Sequence, residues 1–213
     1  DLHLSIRRQR QMCIRDRSVT LYGKDKIADQ LSDTTFKISD QSFYQINSSQ
    51  TEKLYQQAIE YAQLTGEETV LDTYCGIGTI GLYMAPVAKH VYGVEVVPSA
   101  IKDAQQNATL NGFENTTFVC GKAEEVIIKW KQQGIKPDVV MVDPPRKGCD
   151  ETFLQTLLKL NPKRIVYISC NPSTQQRDAQ ILDSQYELQE ITPVDMFPQT
   201  THVETVALFE RKS

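Results

Sequence analysis

Apolar and polar residues along this chain follow two alternating periods. Short apolar runs, typical of buried strands, are separated by longer stretches in which apolar residues recur with helical spacing. The predicted strands are 69–72, 90–95, 117–120, 138–143 and 164–169. The predicted helices that follow them are 77–88, 99–110, 123–133, 151–160 and 173–182. Strands that alternate with helices of this length predict an α/β fold with a doubly wound, mostly parallel sheet.

The last two predicted strands, 186–194 and 203–211, differ from the others because no helix separates them. A loop that joins two consecutive strands indicates an antiparallel pair, which we expect at the edge of the sheet. No internal repeat or low-complexity linker divides the βα units. Residues 66–213 are therefore predicted to form one main domain.

Residues 19–65 precede the first βα unit and follow a different pattern. Loose alternation near 21–23 and 34–38 predicts a β-hairpin. A helix follows, with Asn47 or Ser48 as its N-cap. We expect the hairpin and this helix to pack on the main domain.

The charge is distributed unevenly. The first 18 residues contain five of the nine arginines and two acidic residues, a net charge of +3. The whole chain carries −4, which leaves −7 for residues 19–213. An acidic body is a poor stand-alone binder of nucleic acid, since phosphate contacts supply most of the non-specific affinity. Residues 1–18 are interpreted as a disordered or non-native leader, with a basic nucleic-acid arm as the alternative.

Composition indicates a globular protein. The 213 residues are 40% hydrophobic and 23% charged, which suits one domain with a full core. The longest apolar run is far shorter than a membrane span, and no signal peptide heads the chain. The cysteines form neither a C-x-x-C pair nor a cluster with histidine, so we expect no metal site and a cytoplasmic location. They are Cys13, Cys75, Cys120, Cys149 and Cys170.

A glycine-bearing turn follows the first strand of the main domain. Gly76, Gly78 and Gly81 have the spacing G-x-G-x-x-G between a predicted strand and a predicted helix. Such a unit commonly cradles a dinucleotide or nucleoside, although the spacing alone is a weak signal. Glu95 ends the next strand, 19 residues after Gly76, where a carboxylate is expected to bind a ribose.

Asp72 distinguishes between the two cofactors that such a turn could hold. It lies at the end of the strand, next to the cradle. The pyrophosphate of NAD is negatively charged and would be repelled by this carboxylate. S-adenosylmethionine instead carries an amino group and a positive sulfur. The turn is therefore interpreted as an S-adenosylmethionine site.

Several chemically capable side chains lie at the predicted strand ends. Asp72, Glu95, Asp143 and Cys170 are each the last residue of a strand or follow it directly. The carboxyl ends of parallel strands meet at one edge of the sheet, where ligands bind. Neighbouring strands are about 4.8 Å apart. We therefore expect these four side chains to surround one crevice.

Asp143 opens the segment Asp-Pro-Pro-Arg-Lys-Gly, which ends at Gly148. Its two prolines fix φ and remove two backbone donors, so the loop is stiff and suited to holding a planar substrate. Enzymes that methylate exocyclic base amines also contain Asp-Pro-Pro, but they typically continue with an aromatic residue. Arg146 occupies that place here.

Cys170 is the best-placed candidate nucleophile. It follows a strand and precedes Asn171-Pro172, which opens a predicted helix, and a helix N-terminus favours the thiolate. Cys75, in the cofactor turn, and Cys149, after the Pro-Pro loop, are not expected to be the nucleophile. Glu204 begins the last strand, after a segment rich in Pro, Thr and His, and is the candidate base.

Five ordered motifs together resemble the RNA uracil-C5 methyltransferase family, the TrmA-type enzymes that act on tRNA or ribosomal RNA. They are Phe-Tyr-Gln-Ile-Asn at 43–47, Leu-Asp-Thr-Tyr-Cys-Gly-Ile-Gly-Thr-Ile-Gly at 71–81, Asp-Pro-Pro-Arg-Lys-Gly at 143–148, Ser-Cys-Asn-Pro at 169–172 and Phe-Pro-x-Thr-x-His-Val-Glu at 197–204. The resemblance implies a Rossmann-like class I methyltransferase domain with S-adenosyl-L-methionine as cofactor. It also implies Cys170 as the nucleophile and Glu204 as the proton-abstracting base. The cofactor contacts that it implies are Gln45, Tyr74, Glu95 and Asp143.

The same resemblance implies methyl transfer to C5 of a uridine in RNA through a covalent adduct between Cys170 and C6. It favours ribosomal RNA, 23S in particular, over tRNA, and a monomeric protein. Family members usually carry an N-terminal RNA-binding β-barrel domain, and residues 1–18 do not supply one. Two alternatives stay open: an N-methyltransferase, which needs no reactive thiol, and a non-catalytic S-adenosylmethionine-binding module.

Overall fold

A seven-stranded sheet forms the centre of the protein in a computed structural model that describes residues 26–40 and 42–212. Two hairpin strands that are described below come first in the chain, so the strands of this sheet are numbered from β3. In chain order they are β3 (Thr69–Thr73), β4 (His90–Glu95), β5 (Thr116–Cys120), β6 (Val139–Val142), β7 (Arg164–Ser169), β8 (Tyr186–Val194) and β9 (Glu204–Arg211). Their spatial order is β5-β4-β3-β6-β7-β9-β8. The first five pair in parallel, while β9 is antiparallel to both β7 and β8. The predicted fold class, with its antiparallel edge, is confirmed.

Helices cover both faces of the sheet, as expected for a doubly wound fold. They are α1 (Ser48–Ala62), α2 (Thr79–Met84), α3 (Pro98–Leu110), α4 (Ala123–Gln132), α5 (Glu151–Leu160) and α6 (Pro172–Leu182). The apolar faces of α1, α2 and α3 share one core, and those of α4 and α5 share a second. Among the described helices, none has the length and apolar character needed to cross a membrane.

The helix predicted at 77–88 is wrong in its bounds. Its α-helical part spans only Thr79–Met84 and continues as a 3-10 turn over Ala85–Val87. Gly78 precedes it with a φ of 82°, which no helical residue adopts. Pro86 has no backbone N–H and therefore cannot continue the α-helical hydrogen-bond pattern.

A two-stranded hairpin, β1 (Lys26–Leu31) and β2 (Thr34–Ser39), lies apart from the main sheet. The predicted hairpin strand near 21–23 lies outside the described residues, and the observed partner of β2 is 26–31. Helix α3 borders the free edge of β2. Asn107 accepts a hydrogen bond from Lys37 N at 2.8 Å, and Asn111 accepts one from Thr35 N at 2.9 Å.

The chain order creates a crevice at the carboxyl ends of the strands. From β3 the chain proceeds outward to β4 and β5, and then returns to β6 on the other side of β3. Such a switch point between neighbouring strands is where ligands bind in open α/β sheets. The carboxyl end of β8 and the amino end of β9 reach the same edge, because Val194 pairs with Glu204.

Candidate active site

The turn between β3 and α2 has an unusual backbone. Tyr74, Gly76 and Gly78 all have positive φ, at 60°, 53° and 82°. Cys75 N donates to Val94 O at 3.0 Å, and Gly78 N donates to Cys75 O at 2.8 Å, so the turn is held against β4. A Cβ on Gly76 would meet no atom within 4 Å, so a ligand has open space to approach the backbone there.

Glu95 lies directly beside this turn, as the sequence predicted. Its Oε2 accepts a hydrogen bond from Gly76 N at 3.3 Å. Its Oε1 accepts from Val96 N at 2.7 Å and from Val97 N at 3.0 Å. A carboxylate offers about four acceptor positions and these bonds occupy three of them, so about one is left for a ribose hydroxyl. The geometry therefore fits the nucleoside part of S-adenosylmethionine.

The expectation that the Asp72 side chain lines the crevice is wrong, because this side chain lies beneath the turn. The side chain is fully buried, and its Oδ2 accepts a hydrogen bond from Gly81 N at 2.9 Å. Its Oδ1 has no partner among the described residues. Burial raises the pKa of Asp72 to about 8, and the charges of Asp143 and Glu95 contribute in the same direction. Asp72 therefore supports the start of α2 from below.

Cys170 and Glu204 are brought together by the antiparallel pairing of β7 with β9. Ser169, the last residue of β7, pairs with Thr205 of β9. Cys170 follows Ser169 and Glu204 precedes Thr205, so both lie one residue further toward the crevice edge. The Thr205 hydroxyl lies 3.3 Å from Ser169 O, which secures this register. Glu204 is buried, and burial raises its pKa. Cys170 is half-buried, the accessibility that a nucleophile needs.

The net shift of the Cys170 pKa is opposite to the one expected from a helix N-terminus. Burial raises the pKa of this thiol, and the charges of Glu204 and Asp143 raise it further. The positive charge of Arg146 opposes them only in part. Two carboxylates facing the sulfur disfavour a second negative charge there.

Asp143 completes this acidic cluster. It follows β6 directly, and Val142 at the end of β6 pairs with Tyr167 of β7. Burial raises the pKa of Asp143 to about 7, and the charge of Glu204 adds to the effect. The crevice edge thus brings the carboxyl groups of Asp143 and Glu204 together, which suits a positively charged ligand.

Gln45 and Tyr74, the other implied cofactor contacts, occupy different surroundings. Gln45 is buried, with 8% of its surface exposed, while its neighbours Phe43 and Ile46 are 65% and 84% exposed. The ring of Tyr74 packs edge-on against Phe153, 5.4 Å between centroids, in the second core. The backbone of Tyr74 thus belongs to the cofactor turn, whereas its ring points to the opposite face of the sheet from α2.

The segment that contains Gln45 is tied to the segment that leads to Glu204. Asn47 is the N-cap of α1, and its Oδ1 accepts from Gln50 N at 3.4 Å. Its Nδ2 donates to Met196 O at 3.1 Å. One side chain therefore joins two parts of the site that are far apart in sequence.

The remaining described cysteines have environments unlike that of Cys170. Cys75 and Cys149 are buried, and burial raises the pKa of Cys149 to about 12 and that of Cys75 well above its ordinary value. Both belong to the hydrophobic cores of the protein. Cys120 is exposed, and Cys13 lies outside the described residues.

Two residues of the site region carried no sequence signal. From the sequence, Tyr55 on α1 is expected to be an apolar core residue, but burial raises the pKa of its hydroxyl and the charges of Asp143 and Asp72 raise it further. From the sequence, the charged residue Asp178 on α6 is expected at the surface, but its side chain is fully buried. Both depend on contacts between distant parts of the chain.

Comparison with known proteins shows which protein family this chain is similar to. The family model described as tRNA (uracil-5-)-methyltransferase matches residues 4–212. Proteins of Staphylococcus epidermidis (strain ATCC 12228) and Staphylococcus aureus (strain COL), each named an uncharacterized RNA methyltransferase, are 85% and 83% identical over 195 residues. This alignment covers 92% of the chain but only 43% of each relative, so the chain spans less than half their length.

Solved structures agree with the family match. The Pyrococcus abyssi tRNA (uracil-54, C5)-methyltransferase, solved in complex with S-adenosyl-L-homocysteine, has a TM-score of 0.77 and 35% identity. The alignment covers 92% of this chain and 48% of that one. The tRNA m1G37 methyltransferase of M. jannaschii, at 14% identity and a TM-score of 0.65, shares the fold. The chain belongs to the tRNA (uracil-5-)-methyltransferase family.

Proposed function

We propose that this chain carries the catalytic domain of an enzyme that transfers a methyl group from S-adenosyl-L-methionine to C5 of a uridine in RNA. The observation that carries the proposal is the placement of Cys170 beside Glu204 at the crevice edge, next to Asp143. Family membership supports the same reaction, as does the Pyrococcus abyssi relative.

The residues that would hold the cofactor are distributed around the crevice. Glu95 would accept hydrogen bonds from the ribose, and the open backbone at Gly76 would lie against the amino-acid portion. Asp143 would face the positively charged end, while Gln45 and the Tyr74 backbone would border the ligand. When bound, S-adenosyl-L-methionine supplies an electrophilic methyl group on a sulfonium.

The chemistry follows from the weakness of uracil C5 as a nucleophile. The thiolate of Cys170 adds to C6, and the electron pair of the C5–C6 double bond moves toward C5 and O4. C5 would then bond to the methyl carbon as the bond between that carbon and the sulfonium sulfur breaks, and Glu204 would remove the C5 proton. The electron pair of that C–H bond restores the double bond, and the C6–S bond breaks to release the thiolate.

The environment of Glu204 suits this role. A carboxylate whose pKa is raised by burial binds a proton more strongly than an exposed one, so it is a better base once ionised. The target uridine has to be unstacked or single-stranded to reach the edge of the sheet where Glu204 lies.

The covalent step is tested with RNA that contains 5-fluorouracil, because fluorine at C5 cannot be removed as a proton. We expect the unchanged chain to form an adduct that survives denaturing electrophoresis, and Cys170→Ala to form none. With ordinary RNA, Glu204→Gln should accumulate a methylated adduct because elimination stalls. Cys120→Ser, which removes an exposed thiol, is the matched control and should still form the adduct.

The outcomes separate the possible reactions. Methylation of C5 by Cys170→Ala would refute the covalent mechanism, and a product methylated on nitrogen would identify an N-methyltransferase. Normal turnover by Glu204→Gln would assign the base role to another group. The substrate preference is measured on matched transcripts: the resemblance favours 23S ribosomal RNA, whereas the Pyrococcus abyssi relative acts on a tRNA uridine.

A further inference from the structure

The loop 143–149, which joins β6 to α5, lies against the first turns of α6. The guanidinium of Arg177 donates through Nη2 to Lys147 O at 3.1 Å and to Cys149 O at 3.2 Å. Nearer the start of the helix, Asn171 Nδ2 donates to Arg146 O at 3.3 Å. Three carbonyls of a loop without regular structure are thus bound by side chains of one helix or its cap.

Asp178 anchors this arrangement from inside the protein. Its Oδ2 accepts from Cys149 N at 2.8 Å and from the Tyr167 hydroxyl at 2.6 Å. Its Oδ1 accepts from Arg177 Nε at 2.9 Å and Nη2 at 2.6 Å. A fully buried carboxylate is costly unless each oxygen has donors, and both oxygens of Asp178 have them.

Gly148 shows how closely the loop approaches the helix. Its φ is +79°, and a Cβ placed on it would lie 2.6 Å from Arg177 Nη2 and 2.8 Å from Asp178 Oδ2. A side chain at this position would therefore have to displace the ion pair. By contrast, Gly134 has a φ of +84° but open space around its Cβ position. Alanine would strain the backbone at both glycines, but only at Gly148 would it also contact the helix. A comparison of Gly148→Ala with Gly134→Ala therefore distinguishes the two effects.

This loop begins at Asp143 and contains Arg146, two of the charged groups that act on Cys170. Cys170 itself lies two residues before α6. We propose that Arg177 and Asp178 are positioning residues, which bind the 143–149 loop to α6 and so fix Asp143 and Arg146 around the Cys170 thiol. This role presupposes the methyl transfer proposed above, but the order of the loop can be measured without RNA.

Arg177→Ala is the primary variant. The side chain of Arg177 is 53% exposed, so its removal leaves the apolar cores intact. Asp178→Asn is the second variant: its amide oxygen can still accept from Cys149 N, but its NH2 group would face the donors of Arg177. Gly148→Ala is the third, with Gly134→Ala as the control for backbone strain.

The readouts are hydrogen exchange of the 144–149 peptide, the melting temperature, the cofactor dissociation constant and the single-turnover rate of methyl transfer. For Arg177→Ala we expect exchange in the loop to become about tenfold faster and methyl transfer about tenfold slower. The melting temperature should stay unchanged, and any rise in the dissociation constant of S-adenosyl-L-methionine should be smaller than the fall in the rate, because Asp143 also borders the cofactor. A merely structural role would instead lower the melting temperature and leave the rate of the folded, cofactor-bound chain unchanged.

Gly148→Ala should reproduce the faster loop exchange, and Gly134→Ala should not. Unchanged loop exchange in both Arg177→Ala and Gly148→Ala would overturn the positioning role. Faster exchange together with an unchanged methyl-transfer rate would also overturn it. If the unchanged chain transferred no methyl group to RNA, the proposed function would fail, while the loop exchange would still decide whether Arg177 and Asp178 bind the 143–149 loop to α6.

Discussion

At the scale of single residues, the site combines a nucleophile with two like-charged neighbours. The charges of Glu204 and Asp143 disfavour the thiolate of Cys170, although the proposed reaction requires it. The same Glu204 has to be close to the sulfur, because it removes a proton from the carbon adjacent to C6. This closeness of Glu204 to the sulfur raises the pKa of the Cys170 thiol. The addition to C6, which comes earlier, requires that thiol to be deprotonated.

This conflict predicts the behaviour of Glu204→Gln. Removing the charge of Glu204 removes one of the causes that raise the thiol pKa, so more thiolate is present at neutral pH. We expect iodoacetamide to alkylate Cys170 about two- to tenfold faster in the variant at pH 7.5. The midpoint of the pH–rate curve should lie lower than in the unchanged chain. Peptide mapping by mass spectrometry assigns the reaction to Cys170.

Glu210→Gln is the matched control, since Glu210 lies at the other end of β9 and pairs with Arg164. Its alkylation curve should coincide with that of the unchanged chain. An equal shift in both variants, or none in Glu204→Gln, would mean that Glu204 does not act electrostatically on the sulfur.

At the scale of elements, the hairpin depends on helix α3. The side chains of Asp103, Asn107 and Asn111 recur every four residues and therefore line one face of the helix. Asn107 both accepts from Lys37 N at 2.8 Å and donates to Lys37 O at 3.2 Å, as a neighbouring strand would. Helix α3 follows Glu95 closely, so the same region connects the hairpin and the cofactor site.

Asn107→Ala tests this attachment. Asn107 is fully buried, so its loss leaves the N–H and C=O of Lys37 without their partner and should lower the free energy of unfolding by about 1–3 kcal/mol. Gln106→Ala removes an exposed neighbour that accepts a hydrogen bond from Lys26 Nζ at 2.7 Å, and it should cost much less. Urea denaturation of the two variants gives the comparison. Equal costs would show that α3 does not hold the hairpin through Asn107.

The attachment also has a functional consequence. The segment with Gln45 follows β2 directly, so a loosened hairpin should weaken binding of S-adenosyl-L-methionine in Asn107→Ala. Calorimetric titration measures the change. Unaltered affinity would mean that the tie from Asn47 to Met196 holds Gln45 in place without help from the hairpin.

At the scale of the whole molecule, the net charge limits how the chain can hold RNA. Residues 19–213 carry −7, so attraction to phosphate has to come from local groups such as Arg146 and Lys147 near the site. We expect residues 19–213 to bind bulk RNA weakly in a filter assay. Affinity should rise when a basic RNA-binding domain is attached. Tight binding that falls steeply with salt would instead reveal a basic surface that the net charge conceals.

Much of the fold was predictable because its signals are local. Apolar runs placed β4, β7 and β8 at their observed bounds, and glycine spacing located the turn after β3. The shortened helix α2 was missed since the periodicity continues through Gly78 and Pro86, where backbone conformation ends it. For the site, the strand-end positions of Glu95, Asp143 and Cys170 follow from the same local patterns.

The sequence by itself determined the order of the elements and the motifs that identify the family. Only the tertiary structure decided which groups act on one another. Glu204 lies beside Cys170 because β9 runs antiparallel to β7. Asp178 is buried because the loop that follows β6 packs against α6. The raised pKa of Cys170 has the same origin, since both the burial of its thiol and the effect of the charges of Glu204 and Asp143 depend on distance in space and not on separation along the chain.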